Sequence, residues 1–131
     1  MKTEKDIKLK FCSEWLDDFR KLLGLENLRL YMMEFPVRTH DGEKKVDIVL
    51  ETIRNDKKHL IVMEWKRDKI DLGVVEQVER YARYTKLQLY KDNVVKFIAG
   101  PDFSDFEIEM CKEHNVHALQ FDLKGNMRIV I

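Results

Sequence analysis

Glu64 and Lys66 interrupt the apolar run His59-Leu60-Ile61-Val62-Met63-Glu64-Trp65-Lys66-Arg67 at positions two apart. Side chains at i and i+2 of a strand leave one face about 6.5 to 7 Å apart, so a carboxylate and an ammonium would point into one space. A strand built only to fill a core avoids that arrangement. Upstream, Lys45-Val46-Asp47-Ile48-Val49-Leu50-Glu51 repeats it with Asp47, and Arg54-Asn55-Asp56-Lys57-Lys58 between the two reads as a tight hairpin turn. Asp47, Glu64 and Lys66 are therefore expected to meet on adjacent strands. Two carboxylates and a lysine at the end of a sheet are what a magnesium-dependent phosphodiesterase needs. Magnesium prefers oxygen ligands and keeps several waters, so one or two carboxylates plus a substrate phosphate suffice. The ion would acidify a water and neutralise charge building on the phosphate, and Lys66 would position or polarise that water.

These side chains need a sheet and a roof, and the rest of the chain provides both. Thr3 with Asp6 resembles a capping box, after which Ile7, Phe11, Trp15, Phe19 and Leu22 recur at helical spacing until Gly24. A first helix of about 20 residues is expected there. Residues 29–38 read as a strand, with Pro36 marking an edge or a bulge, followed by a turn over 40–43 and then the Asp47 and Glu64 strands. Asp71 can cap a second helix reaching about Tyr90, whose stripe is Val74, Val78, Tyr81, Thr85 and Leu89. The run 94–99 is apolar enough for a strand buried on both faces. Ser104 with Glu107 forms another capping box before a short helix that Asn115 can end, and strands over 116–123 and 127–131 flank a turn at Lys124-Gly125-Asn126. The expected order is helix, three-stranded meander, helix, strand, helix and two strands, an α/β sandwich with a mixed sheet.

Asp47, then Glu64-Trp65-Lys66, then Gln77 with Tyr81 four residues on, resembles the PD-(D/E)XK nuclease superfamily in its RecB-like branch. The pattern is most similar to the C-terminal nuclease domain of the NucS (EndoMS) DNA endonucleases, and it covers most of the chain. The resemblance implies a restriction-endonuclease-like three-layer sandwich and a metal held by Asp47, Glu64 and the backbone carbonyl of Trp65. It also implies a first-helix glutamate, here Glu14, reaching the metal. Departures are Val46 in place of a proline before the aspartate, and Trp65 in a slot usually filled by a smaller apolar residue. A third is length: the chain is expected to lack the N-terminal dimerisation and DNA-binding domain of full NucS. Gln77 is placed to orient Lys66 or touch phosphate, and Tyr81 lies one helical turn later on the same face.

Net charge is zero, with 24 basic and 24 acidic residues, so any nucleic-acid footprint must be local. Lys45, Arg67, Lys69, Arg80 and Arg83 are the candidates, together with Lys44 and Lys86. The interleaving of Arg80 and Arg83 with Glu76 and Glu79 fits a solvated helix face equally well. A lone Glu-x-Lys strand end is more often a salt-bridging edge; the conjunction with Asp47, Gln77 and Tyr81 favours the nuclease. Glu51 and Asp17 are expected to be solvated, His114 and His117 to be surface histidines rather than a metal pair, and Cys12 and Cys111 to be inert thiols.

At 131 residues the chain is expected to form one domain, 1–131. No apolar run approaches the roughly 20 residues of a membrane span, no signal region opens the chain, and two cysteines suit a cytoplasmic protein. The expected function is a magnesium- or manganese-dependent DNA endonuclease, acting as a possible homodimer or with a partner protein supplying specificity. A Holliday-junction or other structure-selective resolvase is the enzymatic alternative. A nuclease-fold DNA-binding accessory protein without hydrolysis is the other.

Overall fold

The computed structural model describes residues 3–67, 70–89 and 93–131. Helix α1 (Glu4–Lys10) begins at the expected capping box, with Asp6 N–H donating to Thr3 Oγ1 and Thr3 N–H to Asp6 Oδ2. It runs through a π-helical turn (Phe11–Trp15) into α2 (Leu16–Leu23), which Gly24 ends with φ +67°. The sequence pattern gave one continuous helix; the wide turn inside it is new. Ser13 Oγ donates back to Leu9 O at 2.9 Å, a bond of the kind that bends helices, and the buried pair Phe11 and Trp15 brackets the turn.

Six strands form one sheet in chain order: β1 (Arg29–Thr39), β2 (Gly42–Arg54), β3 (Lys57–Trp65), β4 (Asn93–Gly100), β5 (His117–Phe121) and β6 (Met127–Ile129). The β1–β2–β3 meander is antiparallel, β3–β4 and β4–β5 are parallel, and β5–β6 is an antiparallel hairpin. Asn55 and Asp56 both take positive φ in the two-residue β2–β3 turn, the conformation that suits a twisted hairpin. Helix α3 (Leu72–Leu89) crosses from β3 to β4, and α4 (Asp105–Glu113) from β4 to β5. Asp71 Oδ1 accepts from Val74 N–H as the expected cap; Tyr90, the expected last residue, lies outside the described residues.

Alternating side chains divide the interior into two layers. Ile7, Phe11, Phe19, Ile61, Met63, Trp65 and Phe97 pack under α1 and α2, while Leu60, Val62, Val75, Val78, Ile98 and Cys111 pack under α3 and α4. Pro36 marks an edge, as expected, and α3 covers it: Gln88 Nε2 donates to Pro36 O and Arg38 N–H donates to Gln88 Oε1. That clamp ties the last turn of α3 to β1. Ser104 caps α4 through Glu107 N–H as expected. Ser104→Ala should cost about 1 kcal/mol, read as a lower urea midpoint with an unchanged slope.

Candidate active site

The two carboxylates stand where β2 and β3 part. Their ladder runs as far as Ile48 opposite Met63, so Asp47 and Glu64 are the next residues beyond it. There a side chain takes over from the backbone: Trp65 N–H donates to Asp47 Oδ2 at 2.8 Å, and Asp47 N–H points at Glu64 Oε1 at 3.4 Å. Alternation slips at this point, since Val46 and Val49 face the α3 layer and Ile48 and Leu50 the α1 layer. β3 meanwhile stays paired with β4 through Trp65 and Ala99, and Lys66 N–H continues that pairing to Ala99 O at 2.8 Å. The site is thus built on the interior of β2 and the last residues of β3.

Glu64 is only 2% exposed. Burial pushes its carboxyl well above the ordinary range, the neighbouring Asp47 charge and hydrogen bond push it further, and the Lys66 charge pulls it back in part. Glu64 therefore gives up its proton less readily in the metal-free fold than a solvated carboxyl does. Tyr81 on α3 is hydrogen-bonded with Gln77, and its hydroxyl is raised first by burial and then by the Glu64 charge, with Asp47 adding to it. The structure accordingly brings together Asp47, Glu64, Lys66, Gln77 and Tyr81 from three elements. Trp65 belongs to the opposite face, with its ring against Phe11 at 4.7 Å and Phe121 at 5.0 Å.

Among the described residues no group of three or more Asp, Glu, His or Cys side chains is arranged to hold a metal ion. Two side-chain carboxylates are a sufficient set for a hard divalent cation that keeps its waters. The donor set fits magnesium or manganese on physical grounds as well, because a buried carboxyl raised by an adjacent carboxylate is what a cation relieves.

The first helix reaches this pair, but with Lys8 rather than Glu14. Lys8 Nζ lies 2.9 Å from Asp47 Oδ1 and 2.6 Å from Glu34 Oε1. Burial alone would lower its pKa; hydrogen bonds and charge from Glu34 and Asp47 outweigh that and raise it. Glu14, six residues on and so turned to another side of the helix, is exposed and pairs with Lys10 Nζ at 3.3 Å. The structure does not bring Glu14 to the carboxylates. Both newcomers left a trace in the sequence: Lys8 occupies an apolar-stripe position three before Phe11, and Glu34 breaks an apolar strand as Glu64 does.

Of the basic candidates, Lys45, Arg80 and Arg83 are exposed, the last two lining a shallow recess with Glu76 and Glu79. Arg67 is half-buried, its N–H donating to Glu4 Oε1 at 3.2 Å, and Lys69 lies outside the described residues. Two expectations need correction. Glu51 is not solvated: it is buried and takes Arg29 Nε at 2.6 Å, because its strand position is covered by β1. His114 and His117 are half-buried with separate partners, His114 on Glu79 and His117 stacked on Phe97 with Nδ1 near Ile131 O. Cys12 is half-buried and Cys111 buried, and burial raises both thiols to about 11, which keeps them inert as expected.

No helix among the described residues is long and apolar enough to cross a membrane. No protein-family model matches the chain, and no curated protein sequence does. Solved structures do resemble it. A repair endonuclease from Pyrococcus abyssi matches with a TM-score of 0.64 at 22% identity, over 93% of this chain and 48% of its own. EndoMS in a complex with double-stranded DNA matches with a TM-score of 0.57 at 16% identity, over 87% of this chain and 42% of its own. An XisH family protein from Nostoc punctiforme matches with a TM-score of 0.52 at 13% identity, over 89% of this chain and 96% of its own. The chain therefore spans under half the length of the two endonucleases. What it shares with them is the fold that the NucS/EndoMS resemblance implies, a restriction-endonuclease-like three-layer sandwich with a central mixed sheet.

Proposed function

We propose that this chain is a PD-(D/E)XK deoxyribonuclease that hydrolyses phosphodiester bonds in DNA with magnesium or manganese. The observation that carries the reading is the pairing of Asp47 with a buried Glu64 at the parting of β2 and β3, under Gln77 and Tyr81 and beside Lys66. Asp47, Glu64 and the Trp65 carbonyl would hold the ion, which when bound supplies positive charge against the phosphate and acidifies water. The Trp65 N–H fixes the Asp47 carboxylate, so that donor is positioned by the sheet rather than by substrate. Lys66 holds a water for attack and offsets the negative charge that develops on the phosphate. Gln77 and Tyr81 close the α3 side, with the Gln77 amide orienting Lys66 or a phosphate oxygen. Lys45, Arg67, Lys69, Arg80 and Arg83 would neutralise flanking phosphates, an exchange that weakens steeply with salt. The likeness to a DNA-bound endonuclease supports DNA as the partner.

A second reading is a nuclease-fold accessory protein without hydrolysis, and two observations favour it. Asp47 is already paired with Lys8, and the structure among the three that this chain covers almost in full is named as an XisH family protein, not as a nuclease. Incubation with supercoiled, single-stranded, flap and four-way-junction DNA, in magnesium, manganese or chelator, separates the readings. Metal-dependent cuts on any of these support the nuclease, and a preference for the junction assigns a resolvase. DNA binding with no cleavage on all four would establish the accessory role instead.

A further inference from the structure

We propose that Lys8 is a tethered cation that competes with the divalent metal for Asp47, so that the first helix sets the metal affinity of the site. The inference rests on the metal-dependent reading above and adds a residue to it. Asp47 has both oxygens engaged: Oδ2 takes the Trp65 N–H at 2.8 Å, and Oδ1 takes Lys8 Nζ at 2.9 Å. A metal arriving at Asp47 must share that carboxylate with an ammonium or displace it. Two cations on one carboxylate repel, so displacement is favoured.

The geometry also provides a place for the displaced ammonium. Lys8 Nζ already touches Glu34 Oε1 at 2.6 Å, and the Glu34 side chain is 46% exposed while that of Lys8 is 10% exposed. Glu34 reaches it from an unusual backbone position, with φ +51° inside β1, a left-handed conformation that costs a non-glycine residue about 1 kcal/mol. Lys8 is thus anchored by its buried stem, with one carboxylate that the metal needs and another that it does not. In the metal-free protein Lys8 bridges both; with metal bound it retains Glu34 alone.

Manganese titration of the full chain by calorimetry, without DNA and at low salt, tests this. Lys8→Met should bind Mn²⁺ about tenfold more tightly than wild type, because a competing charge is gone. Glu34→Gln, a change at an exposed side chain, should bind it several-fold more weakly, because the ammonium loses its alternative partner. The double variant should behave as Lys8→Met alone, since Glu34 acts only through Lys8; additive effects would instead mean independent structural roles and overturn the proposal. Lys8→Met binding as wild type or more weakly would overturn it too. Should Lys8→Met fail to fold, Glu34→Gln decides, and unchanged affinity there rejects the competition. Asp47→Asn separates this inference from the reading beneath it: wild type with no Mn²⁺ binding that Asp47→Asn removes overturns both, whereas such binding with unaltered Lys8→Met affinity overturns only the role of Lys8.

Discussion

Glu64→Gln is expected to abolish cleavage while making the metal-free protein more stable. The activity loss should be about 10³-fold or more, since the amide cannot supply the negative oxygen that a divalent cation and the transition-state charge balance require. The stability gain comes from the same carboxylate. Glu64 is buried against Asp47, and its pKa in the fold lies well above the ordinary value of 4.5. A group with a raised folded pKa contributes stability that is fully present below its unfolded pKa and is lost as pH rises through the folded one. In chelator, wild type should therefore lose stability as pH rises above the ordinary carboxyl range, and Glu64→Gln, which carries no charge to bury, should not share that loss. The gap should be open at neutral pH, read as a higher melting midpoint for Glu64→Gln, and should close as pH falls below the ordinary carboxyl range. Saturating manganese should reverse the order by stabilising only wild type. Scanning calorimetry across pH, with and without metal, reads all of this. A Glu64→Gln protein less stable than wild type in chelator at neutral pH would show that Glu64 is a structural group.

Lys66→Met should lower kcat on the order of 10² to 10³-fold while leaving manganese affinity and the melting midpoint close to wild type. The separation is possible because the structural contact of this residue is made by its backbone, the N–H to Ala99 O, which the substitution keeps. The side chain acts on the site through charge, as its influence on Glu64 shows. Lys66→Arg should rescue little, because a planar guanidinium does not replace a compact ammonium at a water-positioning site. Cleavage kinetics under single-turnover conditions, with Mn²⁺ titration beside them, check the split. Full activity in Lys66→Met would move the water-positioning role to another group, and Lys8 would be the first to test.

Most of this arrangement was legible in the sequence because it rests on local rules. The capping boxes at Thr3 and Ser104, the left-handed stop at Gly24 and the period-two breaks at Asp47 and Glu64 each follow from the residues within a few positions. The edge character of β1 followed from Pro36 in the same way. Lys8 and Glu14 were missed or misjudged through helix docking, and Glu51 through strand pairing. Which side of a helix meets a strand end depends on how the helix docks, and a π-helical turn changes the phase along it. Helical spacing alone placed Glu14 at the margin of the stripe, whereas packing aims Lys8 at Asp47. Glu51 looked solvated from its position near a turn, yet β1 extends alongside to Arg29 and buries it. The slip in alternation across Asp47 is likewise tertiary: it arises where the β2–β3 ladder ends and a carboxylate replaces a carbonyl as acceptor.

The central claim is that water attacks a DNA phosphodiester at the Asp47, Glu64 and Lys66 site with a divalent metal. Cleavage in ¹⁸O-enriched water, followed by mass spectrometry of the product termini, tests it most directly. Wild type with magnesium should place one ¹⁸O in the terminal phosphate of each cut, with Glu64→Gln and wild type in chelator leaving the DNA intact. Cuts that persist in chelator or in Glu64→Gln, or product phosphates without the label, would contradict it.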